Sequence, residues 1–323
     1  MTQRVAVIGA GLAGLACARV LRRGGCFVEV FEQDRIIGGR TSTTRVGMTS
    51  FDHGAQYVTG RSPTFMKFVS ELVETGYAAR WQPRTSTGAQ AATMAHWHVG
   101  TPGMSSILRP LAEGVRITTG RRVHTLRRED KGWRLWFEDE SSVGPYHAVA
   151  VAVPAREALL LLGQFDTLSD PISRVRMQPC WAVMIRLEDR IMPDQDVFSD
   201  MSETIRWMAR NNAKPGRNSR GDHVVIHASP GWSRETEDTD PEVVAEELWA
   251  EVSHALSLPP TRPAQISAYL WRSGLVETAL GESCLFSSHH MVGVAGDWCL
   301  GRLAEHAYDS GTRLGRAIID ALA

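Results

Sequence analysis

The chain has 323 residues, 43% of them hydrophobic and 22% charged, with a formal net charge of −1. That balance is one of a soluble globular protein; it disfavours disorder, a membrane span and a highly charged nucleic-acid surface, and leaves a small molecule as the expected partner. The length is too great for one small domain and suits two lobes around a shared core.

The first element predicted is a strand, Val5-Ala6-Val7-Ile8, an unbroken apolar run expected to be buried on both faces of a parallel sheet. It feeds Gly9-Ala10-Gly11-Leu12-Ala13-Gly14, a helix that stops at Gly24-Gly25, and a second strand from Phe27 to Phe31 that ends in Glu32. This is a dinucleotide-binding β-α-β unit. Gly9 permits the tight turn, Gly11 lets backbone approach a pyrophosphate, Gly14 lets the helix pack on the sheet, and the helix N-terminus offers unpaired N–H groups to the anion. Leu12 and Ala13 belong to the same turn, and Glu32 with its neighbour Gln33 is placed for a ribose diol. No basic segment precedes the apolar run and glycines interrupt it, so it is not read as a secretory signal.

Gly38-Gly39-Arg40 follows the second strand. A glycine pair brings backbone close to a ligand and delivers a guanidinium that fits phosphate oxygens, a contact a nicotinamide-binding domain does not need. This second turn resembles those of glutathione-reductase-like and amine-oxidase-like FAD proteins, so the cofactor expected is FAD. Further on, Gly54 and Ala55 are small enough for backbone to lie against a flat ring, and Gln56 and Tyr57 can present polar edges beside it. Together with Thr101-Pro102-Gly103-Met104-Ser105-Ser106, these motifs resemble the renalase family, particularly its bacterial members, over nearly the whole chain.

A helix is predicted from Arg61 to Tyr77, with Phe65, Phe68, Val69 and Leu72 on one face, and a strand after it from Trp97 to Gly100. His96 and His98 then share a face and are either ligands or bases near the site or ordinary solvent-facing side chains. A helix at Ser105–Ala112, a strand at Val115–Thr118 returning to the first sheet, a hairpin turning at Lys131-Gly132, and a buried strand at Ala148–Val153 follow. From Leu168 to Tyr269 the composition shifts toward Trp and Pro. Strands are predicted at Cys180–Leu187 and Val224–Ala228, a helix at Pro241–Leu256, and a mobile polar loop from Asn211 to Gly221. Ala268–Gly274 returns the chain between the lobes; Arg272 there either meets an anionic substrate or braces the lobes. The last unit is a strand at Val292–Ala295, Gly296-Asp297-Trp298, and a helix beyond Ser310-Gly311.

The fold class expected is α/β: a Rossmann-like FAD-binding domain (residues 1–66, 101–165 and 275–323) of the glutathione-reductase or p-hydroxybenzoate-hydroxylase type, and a mixed α+β substrate lobe (67–100 and 166–274). The resemblance implies adenine contacts at the strand bearing Val123, ribityl or phosphate-linked contacts at Gly296-Asp297, and the positive end of the last helix, near Ala307, aimed at the flavin pyrimidine. His306 departs from the family's Glu-Gly-Ala, and would either cover the ring or push the helix away. Gln56, Tyr57 and Trp298 would line the ring, with Arg272 and His98 toward substrate.

There is no CxxC for a thiol reductase and no second GxGxxG for a separate NAD(P)H domain. The only lysine between Leu168 and Tyr269, Lys214, lies in the polar loop, which disfavours an amine oxidase with a lysine beside the flavin. The resemblance instead implies oxidation of dihydronicotinamide dinucleotides reduced at the wrong ring carbon, with oxygen leaving as hydrogen peroxide; an amine oxidase and a non-catalytic flavin scaffold are the alternatives. Cys17, Cys26, Cys180, Cys284 and Cys299 show no metal-ligand spacing, so no metal is expected and a reducing, cytoplasmic compartment is.

Overall fold

The computed structural model describes residues 2–85, 96–217 and 220–323. Part of the polar stretch before Gly103 and positions 218–219 of the Asn211–Gly221 segment lie outside the described residues.

The opening apolar run forms the strand Arg4–Ile8 near the centre of a six-stranded sheet, in the order Leu285–Ser287, Val292–Val294, Ala148–Val151, Arg4–Ile8, Phe27–Phe31, Arg116–Thr118. All neighbours run parallel except the antiparallel edge strand Leu285–Ser287. Both faces are covered, which is why Val5–Ile8 and Ala148–Val151 are apolar at every position. Val5 and Val7 pack with the helix Leu12–Arg23 on one side, whereas Ala6 and Ile8 pack with Trp133, Leu135 and Phe137 of a three-stranded antiparallel sheet on the other. Fully burying a Val, Ile, Leu or Phe side chain here is worth about 1.5–3 kcal/mol.

The helix Leu12–Arg23 lies against the last helix, Ala304–Leu322, at a seam of small residues: a Cβ on Gly311 would stand 1.9 Å from the Ala13 carbonyl oxygen. That last helix begins at Ala304, ahead of the Ser310-Gly311 pair where its start was expected; Gly311 serves close helix packing inside it rather than a turn before it. The helix Pro63–Glu74 buries Phe65, Phe68, Val69 and Leu72, and Phe68 stacks on Tyr308 at 4.7 Å. The predicted helix at Ser105–Ala112 is a 3-10 turn, Met104–Leu108, continuing into the helix Arg109–Ala112.

A five-stranded antiparallel sheet, in the order Val197–Ser199, Ile205–Arg210, Asp222–Ala228, Arg176–Leu187, Gln265–Thr278, forms the second layer system. Its strands alternate in the ordinary period of two. Val224 and Ile226 face the helix Pro241–Ala255, whereas Val225 packs on Phe51 and His227 points the same way, toward the first sheet. The division of residues into two lobes cuts continuous elements: position 66/67 falls within Pro63–Glu74, and 274/275 within Gln265–Thr278.

Candidate active site

Between the two sheets lies a cavity of about 850 Å³, at the upper end of the range for ligand pockets. Its floor is the glycine turn. Gly9 has φ +99°, and a Cβ there would meet the Ala152 carbonyl oxygen at 2.5 Å. A Cβ on Gly14 would meet the Gly9 oxygen at 1.9 Å, so both glycines are demanded by close backbone packing. Gly11 differs: the nearest atom to its added Cβ is the Gly38 oxygen at 4.0 Å, and the space it leaves belongs to the cavity, at the N-cap of Leu12–Arg23. Glu32 accepts from Ala10 N at 2.7 Å and Asp34 N at 3.0 Å; burial raises its pKa against those bonds.

The second turn closes on the C-terminal unit. The Arg40 guanidinium forms a two-pronged pair with Asp297, Nη1–Oδ2 2.8 Å and Nη2–Oδ1 2.5 Å, so the two groups expected to reach the cofactor separately hold each other at the cavity wall. Gly54 is small because the Arg40 backbone passes close, its added Cβ lying 2.2 Å from the Arg40 oxygen. Leu303, Ala304 and Ala307, the start of the last helix, also line the cavity. His306 neither covers the cavity nor displaces the helix: its ring packs where a Cβ on Gly301 would go, and Nδ1 accepts from Leu303 N at 3.3 Å, capping the helix. Trp298 has no exposed surface; its indole N–H donates to Val153 O at 3.0 Å beneath Gly296.

The opposite wall is aromatic and polar. Tyr57 stacks on Trp97, centroids 3.6 Å apart and 8° between planes, with Trp207 at 5.8 Å. Behind Gln56 is a buried charge cluster that sequence reasoning missed. Asp52, fully buried, pairs with Lys214 Nζ at 3.2 Å and Arg217 Nη2 at 2.6 Å, and accepts from Met104 N and Thr43 Oγ1, each at 2.9 Å. Burial alone would raise the Asp52 carboxyl, but the two cations bring it down to about 2. Burial pushes the Lys214 ammonium down to about 8, against the pull of Asp52. Lys214 also donates to Gln56 Oε1 at 3.0 Å, while Gln56 Nε2 donates to the carbonyls of Asp52 and Gly54. The polar sequence around Lys214 therefore does not make a solvated loop. Asn211 and Lys214 are buried, and the segment is pinned by side-chain bonds to Asp52 and Gln56.

All predicted cofactor-facing residues line this one cavity except Gly14, whose part is packing, and so do Gln56, Tyr57 and Arg272; Trp298, expected to line the ring, borders the cavity from beneath Gly296 with its side chain fully buried. Arg272 is paired with Glu237 at 2.7 Å. His98 is not brought to the cavity: it sits on the strand His98–Gly100 with Nδ1 bonded to the His96 carbonyl, and the intervening Trp97 is the residue turned inward. Arg206 and His227, which carried no motif, do line it. Alternation from the apolar Val224 and Ile226 was the available signal for His227.

The backbone cradle, two helix N-termini and a cavity of this size fit FAD, and comparison with known proteins agrees. Residues 75–319 match the family of flavin containing amine oxidoreductases, and residues 7–72 match an NAD(P)-binding Rossmann-like domain. Mouse renalase is 28% identical over 189 residues, 54% of each chain. A Mycobacterium tuberculosis protein assigned as a flavin-containing monoamine oxidase is 41% identical over 71 residues, 22% of this chain and 16% of that one. The matched segments thus span about half or less of those relatives. A crystal structure from Exiguobacterium sp. 255-15, assigned as a protoporphyrinogen oxidase, superposes with a TM-score of 0.76 at 13% identity over 99% of both chains, a likeness of fold.

Proposed function

The chain belongs to the flavin-containing amine oxidoreductase family and is an FAD-dependent oxidoreductase, and we propose that it is an oxidase of isomeric dihydronicotinamide dinucleotides (2- or 6-dihydroNAD(P)), which it returns to NAD(P)⁺. Bound FAD supplies hydride acceptance at its isoalloxazine ring, with oxygen as the final acceptor and hydrogen peroxide as product.

The observation that carries this reading is the sign of charge on the substrate side. A register shift between Ile205 and Trp207 turns both Arg206 and Trp207 into the cavity, as β-bulges beside active sites do. Among the described residues the Arg206 guanidinium meets no carboxylate, and Asp52 behind Gln56 is outnumbered by Lys214 and Arg217. An anionic dinucleotide is attracted by such a wall and a cationic amine is repelled. The burial of Lys214 does remove the argument that a solvated lysine speaks against an amine oxidase; the charge of the wall now carries that distinction. Tyr57, backed by the buried Trp97, and nearby Trp207 supply aromatic surface for a ring. A substrate that already holds a loosely bound hydride needs positioning more than a strong base, and Gln56, with its amide held at both ends, is a rigid element of that kind.

In this reading the six-stranded sheet and its helices hold the cofactor, residues 1–66, 101–165 and 275–323, and the remainder faces substrate. The five cysteines are free, in keeping with the cytoplasmic location we assign. Anaerobic mixing tests the function: 6-dihydroNAD bleaches the bound flavin much faster than ordinary NADH does, and equal or slower bleaching contradicts it.

A further inference from the structure

A histidine of the substrate wall has one nitrogen committed and one open. His227 Nε2 lies 3.0 Å from the His53 carbonyl oxygen, and a carbonyl can only accept, so Nε2 carries the proton and Nδ1 keeps its lone pair. Nδ1 meets no hydrogen-bond partner among the described residues and is not sealed from solvent, and the surface that His227 lines is the cavity. The tautomer is held from behind as well: Trp271 Nε1 donates to the same His53 oxygen at 3.0 Å, so that carbonyl is fixed between two donors. The two guanidinium groups that line the same cavity, Arg206 and Arg272, are donors only. His227 Nδ1 adds a neutral acceptor to a wall whose charged groups can only donate.

We propose that His227 is a specificity-determining residue, its Nδ1 accepting an N–H from the carboxamide of the nicotinamide ring; this rests on the dinucleotide reading above. The ring stays neutral across the working range, because burial pushes it down to about 4 and the neighbouring charges of Lys214 and Arg206 act in the same direction, so it accepts a hydrogen bond without becoming a cation. A substrate whose carboxamide is replaced by a group of similar shape lacking N–H leaves Nδ1 unpaired in a desolvated site, and unpaired polar groups are what give such sites their discrimination.

The test compares two ligands of equal charge on the flavin-loaded enzyme. NAD⁺ and 3-acetylpyridine adenine dinucleotide differ by the amide N–H₂ against a methyl group, and binding is read from the visible absorption of the bound flavin. Wild type binds NAD⁺ about tenfold or more tightly than the acetyl analogue, a difference of about 1.4 kcal/mol. His227→Leu brings the two within twofold, with His227→Ala in its place if the Leu variant fails to retain flavin, and His227→Gln, which keeps an acceptor, retains part of the preference. A merely structural histidine would weaken both ligands alike and leave their ratio unchanged, which overturns the assignment. Equal affinity in wild type overturns it alone, with the dinucleotide reading intact. If wild type binds neither ligand, the dinucleotide reading fails and this assignment falls with it.

Discussion

The two walls of the cavity are built on opposite plans. The cofactor side is backbone: Gly9, Gly11 and Gly14 are defined by the absence of side chains, and the charged groups there, Arg40 and Asp297, satisfy each other. The proposed substrate side is built from side chains, with Gln56 and His227 at the surface and Asp52, Lys214 and Arg217 buried behind, drawn from three separate stretches of sequence. A site made of backbone is local and tolerates nothing added. A site made of buried charges is long-range and tolerates nothing removed.

Deletion at the charged wall therefore has the largest effect. Asp52→Leu leaves Lys214 and Arg217 buried without their counter-ion, and is expected to lower stability by about 3–5 kcal/mol, measured as a shift of the urea midpoint. Lys214→Met, which leaves Asp52 still paired with Arg217, costs less; an equal loss in the two variants would break the picture of one carboxylate serving two cations.

Acid probes the same wall without mutation. His53 and His227 are both pushed by burial from 6.5 to about 4, so in this window the unfolded chain binds protons that the folded chain does not. Stability accordingly falls as pH drops from 6.5 toward 4, by on the order of 3 kcal/mol for each ring at most. Denaturant titrations at the two ends of that window show the fall, and His227→Leu removes that ring's share of it; a fall unchanged in that variant would mean the ring is already charged in the fold.

Addition is the matching probe of the backbone wall. Gly14→Ala forces a methyl against the Gly9 oxygen, 1.9 Å away, and is expected to cost about 1–3 kcal/mol and to lower the flavin-to-protein ratio on purification. Gly11→Ala separates packing from ligand approach, because its added Cβ meets no protein atom closer than 4.0 Å. It is expected to leave the melting temperature of the apoprotein nearly unchanged and to weaken flavin retention. A small effect is expected at the junction: His306→Ala removes the cap on Leu303 N and costs about 1 kcal/mol, seen in thermal unfolding.

The same contrast explains what could be read from the sequence. The opening turn, Glu32, Gly39-Arg40 and Gly296-Asp297 announce themselves because backbone approach demands glycine at fixed spacing, and all line the cavity. The runs Val5–Ile8 and Ala148–Val151 are legible because they are apolar at every position. The charged wall is not, since nothing in Asn211-Asn212-Ala213-Lys214-Pro215-Gly216 as a local string distinguishes a solvated loop from one whose lysine is pinned under Asp52, 162 residues earlier. His98 was singled out by its alternation with His96, yet the same alternation turns Trp97 inward and the two histidines away. Arg206 needed the register shift in its strand, which hydrophobic pattern does not encode.

Charge reversal at Arg206 tests most directly the claim that a positive wall selects an anionic dinucleotide. Under argon, wild-type holoprotein is expected to be bleached by 6-dihydroNAD and not by benzylamine, and Arg206→Glu to slow the dinucleotide reaction at least about tenfold, the effect shrinking as salt is added. Bleaching of the wild type by the amine, made faster by Arg206→Glu, would contradict the account.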